Sequence, residues 1–219
     1  MTTTEPGKFV LSYSGGKDGV LACHRAVNAG GKAVGALTTF DRENECSWFH
    51  RLPENVLKQV EHSLGIPLTI VDTQGNRYAA DFESALKTLQ SEGVDSVVFG
   101  DIDIRDHFDW CDERCRNVGL KSVFPLWSED RKEIVHEMIE AGFLALITIV
   151  DTSRMNAKFL GKTLTKEIVA QIETDGVDPC GENGEYHTFV YDGPLFRRRI
   201  EITTGNSVQS EKHVYLPLR

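Results

Sequence analysis

The chain has 219 residues, 40% hydrophobic and 26% charged, the composition of a globular protein with a substantial core. Its formal net charge of −9 argues against extensive binding to nucleic acid, which needs a basic face. The longest apolar run, Phe143 to Val150, is too short to cross a bilayer, and Met1 to Pro6 lacks the basic and apolar regions of a signal peptide. We therefore expect a cytoplasmic protein that does not bind membranes.

Helices and strands alternate through the first half of the chain. The predicted strands are Lys8–Tyr13, Ala33–Phe40, Pro67–Val71, Ser96–Gly100 and Ser122–Phe124. The predicted helices are Lys17–Ala29, Pro53–Leu64, Tyr78–Ser91 and Arg105–Asn117. This alternation predicts an α/β domain with a parallel sheet covered by helices on both faces.

After Pro125 the pattern changes to an α+β order. Helices are expected near Glu129–Ala141 and Thr163–Glu173, with a strand at Phe143–Val150 between them. Three more β segments are expected at Thr188–Tyr191, Arg198–Thr203 and Ser207–Leu216, the last two joined by a hairpin turn at Gly205–Asn206. We expect two domains, a nucleotide-binding domain at 1–126 and a smaller C-terminal substrate domain at 127–219.

The five cysteines fit a reducing compartment, because their number is odd and no C-x-x-C pair is present. Cys111 and Cys115 are spaced to share one face of a helix, which would suit a metal site or a redox pair. Two further ligands at matching spacing are lacking, so packing thiols are the better interpretation.

A glycine-containing loop, Ser14–Gly19, lies between the first strand and the first helix. Successive glycines let the backbone fold around an anion, and the following helix directs its positive end to the same point. Ser14 adds a hydroxyl donor and Lys17 a positive charge. A phosphate site is the favoured interpretation, and a tight turn without a ligand is the alternative. The spacing differs from that of a Walker P-loop.

A second dense motif, Cys180–Thr188, holds two carboxylates, an amide, a phenol and an imidazole around two glycines. Two neighbouring carboxylates, Glu182 and Glu185, can bind ammonium or take a proton from an attacking amine. On composition alone, a solvated loop that enters a strand is equally consistent.

The segment SGGKD at Ser14–Asp18 resembles the SGGKDS loop of the ATP pyrophosphatase superfamily. The resemblance implies an adenine nucleotide alpha-hydrolase-like, Rossmann-like fold that binds ATP and releases AMP and pyrophosphate. The ATP-binding residues expected here are Ser12, Ser14, Gly15, Gly16, Lys17, Asp18 and Gly19. Gly19 stands where the motif usually has serine, so we expect weaker phosphate contacts and the same reaction.

The segment GENGEYHT at Gly181–Thr188 resembles the signature of the diphthine–ammonia ligase family. Other segments match this family in order along the chain: His50, Gly65–Leu68, Gly100–Ile102, Pro125–Trp127, Gly142–Phe143 and Leu160–Lys162. The resemblance implies an ATP-dependent ligase that forms an acyl-adenylate and then an amide, with ammonium as the nitrogen donor. The implied acceptor is diphthine, a modified histidine of an elongation factor, or another carboxylate if the organism lacks diphthine.

These resemblances assign expected roles to particular residues. Lys17 would stabilise the leaving pyrophosphate, Glu182 and Glu185 would handle ammonia, and Asn183 would orient the acyl group. Further nucleotide contacts are expected at Thr39, His50, Gly100 and Asp101. We expect Mg²⁺ to be held mostly by ATP phosphates and water, and the sequence does not identify its protein ligands.

Two other functions stay open at this point. One is a tRNA-modifying thiolase or amidase of the same superfamily, although a thiolase would normally need a catalytic cysteine pair that the sequence does not offer. The other is an ATP-binding module without catalysis, which the acidic second motif disfavours. A homodimer is an expectation about assembly that the sequence does not decide. The chain length leaves no room for a glutaminase domain, so free ammonium is the expected nitrogen source.

Overall fold

The computed structural model describes residues 6–219. Residues 1–5, on which the expected lack of a signal peptide mainly rests, lie outside that range. The strands of the first sheet are β1 (Lys8–Ser12), β2 (Lys32–Asp41), β3 (Cys46–Ser47), β4 (Leu68–Asp72), β5 (Ser96–Val98) and β6 (Lys121–Val123). Those of the second sheet are β7 (Leu144–Asp151), β8 (Tyr186–Asp192), β9 (Val208–Ser210) and β10 (His213–Tyr215). The α-helices are α1 (Lys17–Asn28), α2 (Glu54–Leu64), α3 (Tyr78–Ser91), α4 (Arg105–Asn117), α5 (Arg131–Glu140) and α6 (Lys166–Thr174).

The chain divides into two compact units. The first consists of the described residues 6–14, 18–48 and 66–128, and the second of residues 15–17, 49–65 and 129–219. The units are therefore not two consecutive stretches of chain. The two domains expected from sequence, a nucleotide-binding domain at 1–126 and a substrate domain at 127–219, remain a prediction. Among residues 6–219, no helix is both long enough and apolar enough to cross a membrane.

The first unit contains the parallel sheet. Parallel pairing joins β4 to β2, β2 to β1, β1 to β5 and β5 to β6, and the short β3 pairs antiparallel with the end of β2. Strands β2 and β4 therefore lie on one side of β1, and β5 and β6, which come later in the chain, lie on its other side. Beyond the carboxyl ends of β1 and β5, where the strand order reverses, such sheets bind their ligands. The predicted α/β fold is confirmed.

Apolar residues on the central strands and the helices form the core of this unit. Val10 on β1 and Val97 on β5 pack in one cluster with Phe82 and Leu86 on α3. Cys111 and Cys115 on α4 belong to the same cluster, and burial raises the pKa of Cys115 to about 12 and that of Cys111 even further. All five cysteines are free. The expectation that Cys111 and Cys115 are packing thiols is confirmed.

The second unit contains an antiparallel sheet in the order β8–β7–β10–β9. Its central strand, β7, is apolar except for Thr148 and Asp151 and is buried over nearly its whole length. Helices α5 and α6 place apolar side chains in the interior, including Ile134, Met138 and Ile172. The smaller α+β part expected from the sequence is therefore present.

The C-terminal segments differ from the prediction. Residues 198–203 do not form a strand, since the main chain before them is bonded to the end of α2: Arg197 N–H donates to Ser63 O at 2.7 Å. Arg197 Nη2 also donates to Gly65 O at 3.0 Å, and the Ser63 hydroxyl donates to the carbonyl of Arg198. Backbone groups used in this way cannot enter a sheet ladder.

The expected hairpin turn at Gly205–Asn206 is also wrong. Gly205 N–H donates to Pro217 O at 2.9 Å, so this segment pairs with the chain end instead of turning. The turn lies between β9 and β10, where Glu211 adopts a left-handed φ of 49°. Tertiary hydrogen bonds here override a favourable local turn sequence.

Candidate active site

The glycine loop is held by strand β8 within the second unit. The N–H of Val190 donates to Gly15 O at 2.9 Å. Gly15 has a φ of +97°, and a Cβ there would lie 2.4 Å from Leu52 Cδ1. Both observations require glycine, because side chains disfavour this φ and the space is already filled. The loop conformation is thus fixed by packing as well as by its own sequence.

Lys17 joins the loop to the second motif. Its N–H donates to Thr188 Oγ1 at 3.1 Å, across 171 positions in sequence. The Lys17 side chain is buried, at 5% exposure, and its Nζ lies 5.6 Å from the centroid of the Tyr186 ring. An aromatic face attracts a cation at this range. The two motifs predicted from sequence are therefore brought together in the second unit.

His50 packs against the same loop. Its Nδ1 lies 2.6 Å from Thr188 O, and because a carbonyl only accepts, Nδ1 carries the proton and Nε2 is an acceptor. A Cβ on Gly16 would lie 2.4 Å from His50 Cε1, so Gly16 leaves the room that the imidazole fills. Burial, with a smaller contribution from the charge of Lys17, lowers the pKa of His50 to about 4, although the hydrogen bond to Thr188 acts to raise it. The imidazole is therefore neutral near neutral pH.

In the second motif, two predicted site residues are hydrogen bonded to each other. Glu185 Oε2 accepts from Asn183 N–H at 3.0 Å, and Oε1 accepts from Asn183 Nδ2 at 3.1 Å. Glu185 is 7% exposed, whereas Asn183 is exposed and Glu182 is half-buried. A carboxylate has about four acceptor positions, so Glu185 keeps capacity for another donor.

Sequence reasoning missed Asp178 and Arg131, which organise this motif. The Asp178 carboxylate accepts from Cys180 N–H at 2.9 Å, from Glu182 N–H at 3.3 Å and from Asn183 Nδ2 at 3.4 Å. Arg131, at the start of α5, donates to Asp178 at 2.5 Å and to Asn183 Oδ1 at 3.3 Å. The bond from Cys180 N–H to Asp178 could have been predicted from sequence. An aspartate side chain commonly accepts from the main-chain N–H two residues further along the chain. The Arg131 contact spans 47 residues and has no local signal.

The other residues of the glycine loop, Ser14, Asp18 and Gly19, lie in the first unit, as does Gly100. Gly100, after β5, touches the backbone at the start of α1: a Cβ there would lie 2.4 Å from Gly19 N. A Cβ on Gly19 itself would meet only Ser12 O, at an ordinary 3.6 Å. Ser12, Ser14 and Asp18 are half-buried. The structure therefore brings Gly100 and Gly19 together, as their shared position beyond adjacent strand ends predicts.

Thr39 and Asp101 have identifiable partners in the first unit. Thr39, 7% exposed near the end of β2, has its Oγ1 3.1 Å from Tyr78 Oη. Asp101, past the end of β5, has its carboxylate 3.5 Å from His107 Nδ1. Both lie at the carboxyl edge of the sheet, where nucleotides bind in α/β folds.

A parallel sheet with a glycine loop after its first strand defines an α/β protein of the nucleotide-binding class. The chain belongs to the diphthamide synthase family. Residues 7–122 match the model of the diphthamide synthase N-terminal domain, and residues 130–218 match that of the C-terminal domain. The family predicted from the loop and the GENGEYHT segment is thus confirmed.

Several relatives are named diphthine–ammonia ligase. The protein from Schizosaccharomyces pombe is 35% identical over 98 residues, which cover 43% of this chain and 16% of that protein. The Mus musculus protein is 32% identical over 108 residues, covering 48% of this chain and 40% of its own length. The match to the Danio rerio protein spans 96% of this chain and 92% of that protein at 26% identity.

Among solved structures, the chain is similar to a predicted subunit of tRNA methyltransferase from Methanocaldococcus jannaschii DSM. The two share 14% sequence identity with a TM-score of 0.47, and the match covers 88% of this chain and 100% of that chain.

Proposed function

We propose that this chain is an ATP-dependent ligase that activates a carboxylate as an acyl-adenylate and converts it to an amide with ammonia. The observation that supports this most is the hydrogen bond from Lys17 N–H to Thr188 Oγ1. It joins a loop suited to phosphate with a motif suited to ammonia. The family membership and the names of its relatives agree with this proposal.

In the first step, an oxygen of the acceptor carboxylate attacks the α-phosphorus of ATP. The bond from that phosphorus to the bridging oxygen breaks, and pyrophosphate leaves. The main chain of Gly15, Gly16 and Gly19 and the hydroxyl of Ser14 would bind it, with the positive end of α1 directed at the same point. The buried charge of Lys17 would stabilise the leaving group most as negative charge develops.

The nucleotide would be held from the carboxyl ends of the strands. We assign contacts to Ser12, Asp18, Thr39, His50 and Gly100, with His50 acting as a neutral acceptor through Nε2. The half-buried carboxylate of Asp101 fits the oxygen ligands that Mg²⁺ prefers and would hold the ion. Mg²⁺, when bound, would neutralise part of the phosphate charge.

In the second step, the nitrogen of ammonia attacks the acyl carbon and AMP leaves with the electron pair of the broken bond. Ammonium must lose one proton before it attacks and a second as the amide forms. Glu182 and Glu185 would bind the cation and accept the first proton, and the second would pass to the other carboxylate or to water. Asn183 would orient the acyl group, and its own position is fixed by Glu185, Asp178 and Arg131.

We propose diphthine on an elongation factor as the acceptor in organisms that make it, and another carboxylate elsewhere. A cytoplasmic location and a homodimeric state remain predictions that accompany this proposal. The thiolase alternative is disfavoured because burial raises the pKa of Cys111 and Cys115, which keeps both thiols protonated and poorly nucleophilic.

Mass spectrometry of a cell extract incubated with the protein, ATP and ¹⁵N-ammonium tests the proposal. We expect one acceptor to gain a ¹⁵N amide, a mass change that requires both ATP and the wild-type protein. Lys17→Ala is the matched inactive control. ATP binding without any labelled product would favour a binding module, and a sulfur-dependent tRNA product would favour the thiolase.

A further inference from the structure

Thr188 lies on β8 and is 2% exposed. It links the second motif to the glycine loop by hydrogen bonds, beside the contact of Lys17 with the Tyr186 ring. Its hydroxyl oxygen accepts from Lys17 N–H at 3.1 Å, and its carbonyl oxygen lies 2.6 Å from His50 Nδ1. One residue thus uses both its side chain and its main chain to hold groups that border the loop.

The first of these bonds decides where one loop amide points. Because the N–H of Lys17 donates to Thr188, that N–H is directed to β8 rather than offered to a bound phosphate. The side chain of Lys17 leaves the backbone from this fixed point and passes the Tyr186 ring, with Nζ 5.6 Å from the ring centroid. Thr188 therefore helps determine where the ammonium group of Lys17 lies.

The second bond, from His50 Nδ1–H to Thr188 O, holds the imidazole against the loop. His50, fixed by the carbonyl of Thr188, occupies the space next to Gly16, where a Cβ would be only 2.4 Å from its Cε1. The loop backbone is thus packed against the imidazole and also bonded to β8, where Val190 N–H donates to Gly15 O at 2.9 Å. Losing the Thr188 hydroxyl would remove the bond nearest to Lys17 while leaving these other contacts.

We propose that Thr188 is a positioning residue: its hydroxyl sets the orientation of the Lys17 backbone so that the Lys17 charge meets the departing pyrophosphate. This inference rests on the proposed function. It predicts that changes at position 188 act on the chemical step more than on ground-state binding of ATP.

The test compares Thr188→Val, which removes the hydroxyl at nearly constant size, with Thr188→Ser, which keeps it. The control is Ser96→Ala, which removes another buried hydroxyl (0% exposed), one that donates to Pro6 O at the start of β5. Four quantities are measured: hydrogen exchange of the Lys17 amide by NMR, the dissociation constant of pyrophosphate, and kcat and KM for ATP.

For Thr188→Val we expect exchange of the Lys17 amide to become about tenfold faster, because loss of one hydrogen bond has roughly that effect. Pyrophosphate should bind several-fold more weakly, and kcat should fall about tenfold or more with a smaller change in the KM for ATP. Thr188→Ser should restore all of these values, and Ser96→Ala should leave them as in the wild type.

Unchanged amide exchange and unchanged pyrophosphate affinity in Thr188→Val would overturn the positioning role. So would equal losses in Thr188→Ser and Thr188→Val. If Thr188→Val does not fold, Thr188→Cys serves instead, because sulfur is a weaker acceptor. If the wild type forms no AMP, the proposed function fails, whereas amide exchange and pyrophosphate binding still decide whether Thr188 orients the loop.

Discussion

The two glycine-containing motifs are built in opposite ways. In the loop at Ser14–Gly19 the backbone provides most of the site, and the small size of Gly15 and Gly16 lets Leu52 and His50 pack against it. In the motif at Cys180–Thr188, charged and amide side chains form the site. The carboxylates of Asp178 and Glu185 hold its main chain by accepting hydrogen bonds from backbone N–H groups. Substitutions should therefore act by steric clash in the first motif and by loss of polar contacts in the second.

The difference also separates the two proposed chemical steps. A backbone cradle with a fixed lysine suits an anion that leaves, and a pair of carboxylates suits a cation that must lose a proton. Mutations in each motif should then affect one step more than the other.

The largest effect is expected for Glu185→Gln. Removing a general base lowers a reaction rate by roughly 10²–10⁴-fold, so amide formation should fall by that factor while ATP binding measured by calorimetry persists. Glu182→Gln should behave in the same way, and Glu92→Gln, on an exposed residue at the end of α3, should change neither quantity. A Glu185→Gln protein that binds ATP poorly yet still amidates what it binds would assign the motif to the nucleotide instead.

Lys17→Ala should lower turnover by roughly 10²-fold or more, the usual effect of losing one preorganised charge or donor near a transition state. ATP affinity should fall less, because the backbone donors of the loop remain. Steady-state kinetics beside equilibrium binding separate the two effects. Equal losses in affinity and turnover would mean that Lys17 stabilises bound ATP and its transition state alike.

The His50 imidazole predicts how stability depends on pH. Its folded pKa, about 4, lies below the ordinary value of 6.5, so between these values the unfolded chain binds a proton that the folded chain does not. The contribution of His50 is present above pH 6.5 and is lost as the pH falls toward 4, by up to about 3 kcal/mol. Urea unfolding at several pH values should show a smaller decline for His50→Asn than for the wild type. Parallel declines would show that another group titrates.

The smallest effects come from a matched pair of glycine substitutions. Gly16→Ala places a methyl group 2.4 Å from His50 and should cost about 1–3 kcal/mol of stability and weaken ATP binding. Gly19→Ala, in the first turn of α1, meets nothing closer than 3.6 Å and should be neutral or stabilising by up to about 1 kcal/mol. Gly19→Ser should fit equally well and add a phosphate donor. Thermal unfolding and ATP titration check both, and similar losses at the two positions would contradict the steric account.

The sequence predicted the parallel sheet well, because its longer strands are rich in apolar residues and lie between helices with clear periodicity. Helices α3 and α4 begin and end at the predicted residues. The C-terminal hairpin was misplaced because Gly205–Asn206 has a favourable local turn sequence but is bonded to the chain end at Pro217. Local propensity is weak evidence where tertiary hydrogen bonds compete.

The same contrast applies to the site. The loop and the second motif could be identified, since each concentrates particular residue types in a short segment. The hydrogen bond between Lys17 and Thr188, and the contacts of Arg131 with Asp178 and Asn183, join residues far apart in sequence. No local pattern specifies such pairs, so these long-range contacts emerged only from the structure.

The most direct test of the proposed reaction is ³¹P NMR of ATP turnover. The reaction contains Mg²⁺, ammonium and the carboxylate acceptor that the ¹⁵N-labelling experiment identifies. The account predicts AMP and pyrophosphate in equal amounts, with one amide formed for each AMP. ADP and inorganic phosphate as the products would contradict it.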